Sequence, residues 1–142
     1  MAVSEPRHEP VMATEILNLF RLGPGKVVID GTLGLGGHAA LLLQAIRPGG
    51  RLIGLDWDES MLKIARGRLA GFDDVKAELH HLDFRQMDQV AGPGEADAVL
   101  LDLGLNSAQV DDPGRGFSFK EDAPLDMRMD RSRGEPASAV LN

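Results

Sequence analysis

The chain has 142 residues, a net charge of −7 and no cysteine, and 43% of its residues are hydrophobic. This length and composition predict a single globular domain, and the absence of cysteine excludes disulfide bonds and thiolate metal ligands. Because proteins that grip phosphates over a whole surface are basic, any contact with nucleic acid has to come from a local patch or from protein outside this chain.

Helical and strand patterns of apolar residues alternate along the first hundred residues. The predicted elements, in chain order, are a helix from Pro10 to just before Gly23, a strand over 26–30, a helix over 39–46, a strand over 51–56, a helix capped by Asp58 that runs to about Leu69, a strand over 75–82, a short helix over 84–90 and a strand over 96–103. Strand-helix repeats of this kind predict an α/β fold with a mostly parallel, doubly wound sheet and right-handed crossovers. The N-terminus has no secretory signal pattern, and the apolar run over 39–46 is too short to span a bilayer, so we expect a cytoplasmic protein.

The last forty residues have a different character. Residues 104–136 are rich in Gly, Asp, Arg and Ser and show no helical period. Leu125, Met127 and Met129 alternate with charged residues, which predicts an extended segment with one buried face. Residues 137–142 read as the first turns of a helix. Since a doubly wound sheet normally continues past its fourth strand, we expect one incomplete domain over 1–142 with an exposed sheet edge.

A glycine-rich turn follows the first predicted strand. Asp30 leads into Gly34-Leu35-Gly36-Gly37-His38-Ala39, where glycines let the backbone turn sharply and approach a ligand. The run also fits the dinucleotide fingerprint G-x-G-x-x-A. The turn alone therefore leaves two alternatives open, an NAD-binding domain and an S-adenosylmethionine-binding domain.

Acidic residues end the next three predicted strands. Asp56 lies 22 residues beyond Gly34, where a carboxylate can accept hydrogen bonds from both hydroxyls of a ribose. Asp83-Phe84 suits an adenine amino group and ring, although a capping Asp beside a core Phe is an equally good interpretation. Asp102 ends the fourth strand, where a dinucleotide domain needs no acid but a methyltransferase does, because methyl donor and acceptor meet there. A carboxylate in that place can polarise the N–H bonds of an exocyclic amine, which makes Asp102 the candidate catalytic residue.

Several motifs together resemble one family, the bacterial small-subunit (16S) ribosomal RNA cytosine-N4 methyltransferases of the H type (MraW-like). The motifs are His8-Glu9-Pro10-Val11, the turn 30–38, Leu55-Asp56, Leu101-Asp102-Leu103-Gly104, Arg115-Gly116-Phe117-Ser118-Phe119 and residues 124–130 (PLDMRMD). The resemblance implies a Rossmann-like class I fold with S-adenosyl-L-methionine as cofactor. The implied donor contacts, together with those argued above, are Asp30, Gly34, Gly36, Gly37, His38, Asp56, Asp83, Phe84, Asp102 and Gln109.

The same resemblance indicates a substrate side formed by Asn106, Ser107, Arg115, Phe117 and Arg128. Arg115 would contact phosphate, and Phe117 or Phe119 would stack on a flipped cytosine, with ribosomal RNA in an assembling subunit as the partner. The alternatives are a loop pinned by buried phenylalanines and arginines paired with nearby acids. Asn106 and Ala108 depart from the Ser and Pro usual in the family, and the family's helical insertion and remaining strands are absent. No metal site is expected, since His8 and His38 lack companion ligands.

Three functions therefore remain in competition. The first is methylation of N4 of a cytosine in 16S ribosomal RNA. The second is a non-catalytic remnant that only binds the donor, and the third, resting on the glycine fingerprint alone, is an NAD-binding oxidoreductase module.

Overall fold

The structure, a computed structural model, describes residues 10–105 and 107–141 and is built on one four-stranded parallel sheet. The strands are β1 (Val27–Asp30), β2 (Arg51–Asp56), β3 (Lys76–His81) and β4 (Ala98–Leu100), in the spatial order β3-β2-β1-β4. The α-helices are α1 (Ala13–Phe20), α2 (Gly37–Ile46), α3 (Glu59–Leu69), α4 (Ser107–Asp111) and α5 (Ala137–Leu141), and 3-10 helices span Phe84–Gln89 and Pro113–Arg115. The predicted α/β fold with a parallel sheet is confirmed.

The two central strands are buried on both faces, as their near-continuous apolar sequences predict. Side chains on one face, among them Val28 and Leu52, pack with buried residues of α2 and α3 and with half-buried residues of α1. On the other face Ile29, Ile53 and Leu55 pack only with half-buried residues such as Met87. The core is therefore concentrated on the helical face. No helix in the two described ranges is long and apolar enough to cross a membrane.

Helix α3 follows its sequence signals closely. Asp58 is the N-cap, and its side chain accepts hydrogen bonds from the Ser60 backbone N–H at 3.1 Å and from the Ser60 hydroxyl at 2.6 Å. The buried positions Met61, Leu62, Ala65 and Leu69 recur at helical spacing and face the sheet. The predicted cap and end of this helix are confirmed.

Two glycines beside this core predict opposite effects of adding a methyl group. Gly67 is an exposed position inside α3, and a Cβ there would meet no atom within 4 Å. We expect Gly67→Ala to raise the free energy of unfolding by about 0.5–1 kcal/mol, because alanine loses less entropy in a helix. A Cβ on Gly50 would lie 2.5 Å from the Ile46 carbonyl oxygen, so Gly50→Ala should destabilise by about 1–3 kcal/mol. Urea denaturation of both variants tests this, and a shift of both midpoints in the same direction would contradict it.

Strand β4 is much shorter than the predicted strand over 96–103. Its only neighbour in the described sheet is β1, which ends at Asp30, and the ladder therefore ends at the pair Asp30–Leu100. Beyond it the chain leaves the sheet plane as an exposed segment that includes Leu101 and Leu103. A hydrophobic run defines where a strand can form, but its length is set by the neighbour with which it pairs.

The segment 124–130 has the predicted single buried face, but the acids occupy it. Asp126 and Asp130 are buried while Leu125 and Met127 are exposed. The Asp126 carboxylate lies 2.6 Å from Arg128 Nε and 3.2 Å from Arg131 Nε, and Asp130 lies 3.3 Å from Arg133 Nε. Ion pairs offset the cost of burying these carboxylates. The prediction that the apolar residues of this segment form its buried face is therefore wrong. Helix α4, which lies within 104–136, was not predicted.

Candidate functional site

A pocket of about 270 Å³ opens at the carboxyl ends of the strands, where ligands bind in open α/β sheets. The glycine turn and the ends of β2 and β4 form its walls. The predicted site residues that line it are Gly34, Gly37, His38, Asp56, Asp83, Phe84, Asp102 and Gln109. Eight of the ten predicted donor contacts thus line one cavity.

The turn is fixed to the end of β2 by the Asp56 carboxylate. One oxygen accepts from the Gly34 N–H at 2.8 Å and the other from the Asp58 N–H at 2.9 Å. Burial raises the pKa of Asp56, against the effect of these two hydrogen bonds. Each oxygen keeps a further lone pair, so the carboxylate can still accept from a ligand diol.

Gly36, unlike Gly34 and Gly37, lies where α2 packs against α3. It adopts φ 79° as the N-cap of α2, and a Cβ there would lie 3.3 Å from the Ala65 Cβ. Gly36 is not among the residues that line the pocket. Gly36 thus has a packing role, the close approach of α2 to α3, and its donor contact stays a prediction.

Asp30 also lies outside the lining, buried behind the turn. Its Oδ1 accepts from the Thr32 N–H at 3.2 Å, while Oδ2 is a buried oxygen without a hydrogen-bond partner in the described part of the chain. Burial raises the pKa of Asp30 to about 7, despite the hydrogen bond from Thr32. A carboxyl that is half protonated near neutral pH responds strongly to any charge placed in the pocket.

This raised pKa predicts a pH dependence of stability. Between the ordinary carboxyl pKa of 3.8 and the folded value of about 7, the folded chain holds a proton on Asp30 that the unfolded chain has released. Stability should therefore fall as the pH rises through that window. We expect Asp30→Asn to remove this contribution. The free energy of unfolding of the wild type minus that of the variant, measured by urea denaturation, should therefore decline from pH 4 to pH 8. A difference that stays constant across the window would contradict the assignment.

Asp102 lies half exposed at the end of β4, facing His38 across the turn. Its backbone N–H donates to Thr32 Oγ1 at 2.7 Å, which fixes the main chain at this point. The carboxylate Oδ2 is 3.8 Å from His38 Nδ1. His38 Nε2 lies 2.7 Å from the Val11 carbonyl oxygen and must donate to it, so a neutral ring presents an unprotonated Nδ1 to Asp102.

Asp83 caps the 3-10 helix, the alternative that the sequence left open. Its side chain accepts from the Arg85 N–H and holds the Arg85 guanidinium at 2.7 Å. This ion pair lowers the pKa of Asp83. Asp83 and the half-buried Phe84 still line the pocket, so capping and ligand contact are compatible.

A buried ion pair fastens the C-terminal segment to α3. Arg115 Nη1 lies 2.7 Å from Asp58 Oδ2, and Arg115 also donates to Ser60 Oγ and to the Met129 carbonyl oxygen. Burial raises the pKa of Asp58, but hydrogen bonds from Ser60, Gln109 and Arg115 outweigh it and hold the pKa below its ordinary value. Arg115 is only 6% exposed. The expectation that it contacts an RNA phosphate is therefore replaced by the paired alternative, with Asp58 as a partner that sequence proximity did not suggest.

The other predicted substrate residues fall into two groups. Phe117 and Arg128 line a second cavity beside the first. Asn106, like His8 and Glu9, lies outside the described residues, and only the backbone of Ser107 is described, as the first residue of α4. Phe119 is fully exposed and lines neither cavity.

The lining residues that were not predicted as site residues include Thr32, Trp57, Arg68 and Met129. Trp57 directly follows Asp56 and is the only tryptophan of the chain, which could have drawn attention to it. Its indole N–H lies 3.4 Å from Met129 Sδ, a contact between residues far apart in sequence.

The charges of the pocket discriminate between ligand classes. Asp56, Asp83 and Asp102 contribute three carboxylates, and Arg68 is the one arginine among the lining residues. An acidic site of this kind favours a ligand with a positive charge and disfavours a pyrophosphate, which binds where positive groups and N–H dipoles dominate. The geometry thus opposes the dinucleotide interpretation of the glycine turn.

Comparison with known proteins shows similarity to methyltransferases. The model of the MraW methylase family matches residues 5–142. The ribosomal RNA small subunit methyltransferase H of Leptothrix cholodnii is 44% identical over 138 residues, which are 95% of this chain and 42% of that protein. Its counterpart from Symbiobacterium thermophilum is 47% identical, over 95% of this chain and 43% of that protein. The chain thus spans less than half the length of these relatives.

Solved structures support the fold. An rRNA methylase from Streptococcus thermophilus is 22% identical, with a TM-score of 0.55, over 73% of this chain and 58% of that one. An S-adenosylmethionine-dependent O-methyltransferase from Thermotoga maritima is 20% identical, with a TM-score of 0.55, over 74% of this chain and 36% of that one. At this level of identity the likeness concerns the fold alone.

Proposed function

The chain belongs to the MraW methylase family, and from that premise we propose that it forms the donor-binding part of a methyltransferase that modifies N4 of a cytosine in small-subunit ribosomal RNA. The donor is S-adenosyl-L-methionine. The observation that carries the proposal is the acidic pocket, in which Asp56, Asp83 and Asp102 surround the glycine turn. Its charge suits a donor with a sulfonium and an ammonium group.

In this proposal, different residues of the pocket contact different parts of the donor. Asp56 accepts from the ribose hydroxyls, and Asp83 with Phe84 holds the adenine. Gly34 and Gly37 let the backbone approach, while His38 and Gln109 close the methionine side. Asp30 contributes its field from behind the turn, because its carboxyl lies within Coulombic reach of both Asp56 and Asp102.

A bound donor would supply an activated methyl group: in an in-line displacement the cytosine N4 would form the C–N bond as the sulfonium S–C bond breaks, the thioether product would leave, and the methylated nitrogen would lose a proton to water. Asp102 accepts a hydrogen bond from the exocyclic amine of the cytosine and stabilises the positive charge that develops on its nitrogen. The hydrogen bond from the Asp102 backbone N–H to Thr32 fixes the main chain from which the carboxylate projects. Positioning of the carboxylate against the amine therefore contributes much of the rate of methyl transfer. Ribosomal RNA as the substrate implies a cytoplasmic site of action.

Calorimetry tests the first half of the proposal. We expect the purified chain to bind S-adenosylmethionine and its demethylated product in competition for one site, and to give no heat with NAD. Binding of NAD but not of the methyl donor would overturn the assignment in favour of a dinucleotide module.

Transfer is tested separately, because the chain spans less than half of its relatives' length. Labelled donor is incubated with small ribosomal subunits that lack the methyl group, once with the chain alone and once with the chain fused to the rest of the Leptothrix cholodnii relative. We expect label on a cytosine with the fusion. Donor binding without transfer by either protein would indicate the second candidate function, a module that only binds the donor.

A further inference from the structure

A second cavity of about 770 Å³ lies against the first, and the proposed function assigns no ligand to it. The two cavities share four lining residues, Trp57, Asp83, Leu105 and Met129. Two of these shared residues, Trp57 and Met129, are in contact through the indole N–H and the thioether sulfur. Asp102, where the methyl group is transferred, lines only the first cavity, so whatever fills the second is adjacent to the acceptor rather than the acceptor itself.

The second cavity gathers positive groups in a chain that is otherwise acidic. Arg85, Arg128 and Arg133 line it, and Arg131 follows within the same segment. The side chains of Arg85 and Arg133 are 73% and 60% exposed. Asp83 and Asp130 line it as well, so three guanidinium groups against two carboxylates leave a slightly positive surface in a chain of net charge −7.

Ion pairs orient these arginines without using all their donors. Arg85 donates to Asp83 through Nε and Nη2, and Arg133 lies 3.3 Å from Asp130 through Nε. A guanidinium has five N–H donors, so each keeps terminal donors that a phosphate can accept. Carboxylates that hold a guanidinium in place reduce the side-chain entropy lost when a ligand binds.

The walls also offer flat apolar surfaces. Trp57 is 40% exposed, and the half-buried Phe117 lies in the wall as well. Aromatic side chains beside arginines are the usual recognition surface for single-stranded RNA, where bases stack and phosphates pair with guanidinium groups.

We propose that this second cavity binds a nucleotide of single-stranded RNA that flanks the acceptor base, with Arg85 and Arg133 on its phosphates and Trp57 or Phe117 stacked on its base. The inference rests on the proposed function and adds to it a recognition site for the strand beside the cytosine. It gives the predicted substrate residue Phe117 a role although Arg115 is buried.

The single tryptophan provides a direct readout. We expect a cytidine trinucleotide to change Trp57 fluorescence at low salt. Arg85→Gln and Arg133→Gln should each weaken this binding about tenfold, and the slope of log K against log salt should fall by about 0.7 for each phosphate that the variant no longer neutralises. Lys63→Gln, at an exposed position of α3, is the matched control and should leave the binding unchanged.

Parallel titrations separate the possible outcomes. Donor binding measured in the same samples should be equal in wild type and Arg133→Gln, because the partner of Arg133 is Asp130, which does not line the donor pocket, whereas Arg85 pairs with the pocket residue Asp83. If the wild type binds the donor but the trinucleotide leaves Trp57 fluorescence unchanged, this inference is overturned and the proposed function stands. If the wild type does not bind the donor, the proposed function is overturned. Equal binding of hexaglutamate would overturn the inference in favour of an acidic protein partner, and arginine variants indistinguishable from the Lys63→Gln control would also overturn it.

Discussion

Replacing Arg115 with methionine is expected to lower the free energy of unfolding by about 3–5 kcal/mol, because it leaves the buried Asp58 carboxylate without its cation. Both side chains are less than a tenth exposed, so water cannot take the place of the missing partner. A change of that size is a large fraction of the stability of an ordinary domain. Urea denaturation followed by circular dichroism measures it.

Two further variants separate the ion pair from general packing. Arg131→Met removes an arginine that is half exposed in its pair with Asp126, and it should cost less than about 1 kcal/mol. Adding Asp58→Asn to Arg115→Met should recover part of the stability, since asparagine still caps α3 and carries no unpaired charge. A cost below about 1 kcal/mol for Arg115→Met alone would show that the pair does not secure the segment.

Replacing Asp102 with alanine is expected to lower the rate of methyl transfer by the fusion protein about 10²- to 10³-fold, the usual effect of removing one preorganised group that stabilises transition-state charge. The carboxylate is half exposed, and its main chain is held by Thr32, so the variant should fold normally. Initial rates at saturating donor, with unmethylated small subunits as acceptor, measure the effect.

The distribution of this effect between kinetic constants distinguishes a catalytic role from a structural one. For Asp102→Ala the fall should lie mainly in kcat, with a smaller change in the KM of the donor. Asp102→Asn keeps an acceptor oxygen and should retain more activity than Asp102→Ala. Asp122→Ala, an exposed acid in the same half of the chain, should be as active as wild type. A fully active Asp102→Ala variant would remove Asp102 from the mechanism.

The first half of the chain could be predicted closely because local signals and tertiary contacts agree there. Strand β2 and helix α3 have the predicted bounds, since the apolar run 51–56 is buried on both faces and Asp58 caps the helix that follows. The acids at the strand ends converge because parallel strands finish at one edge of the sheet. Apolar runs, helix caps and the common edge of parallel strands can all be inferred from neighbouring residues and the strand topology.

The second half depends on contacts that no local pattern reveals. Arg115 pairs with Asp112, which sequence proximity could suggest, at 3.5 Å, but its buried and closer partner is Asp58, 57 residues earlier. The alternation over 124–130 indicates an extended segment but not which face is covered, and here arginines satisfy two buried acids. Gly36 could not be separated from Gly34 and Gly37 because packing against Ala65 becomes visible only when α3 is in place.

The strand order has a consequence for how the molecule is made. The earliest strand, β1, occupies the centre of the sheet, β2 and β3 are added to one side of it in turn, and β4 is added to the other side. Each later strand of the described sheet therefore finds a neighbour already synthesised. The loop that joins Val28 to its β4 partner Ala98 is about three times longer than the loop to its β2 partner Leu52, yet closing it costs only about 1 kcal/mol more. The sheet can thus grow outward during translation, and the strand added last, β4, is the one that leads into the segment with Asp102.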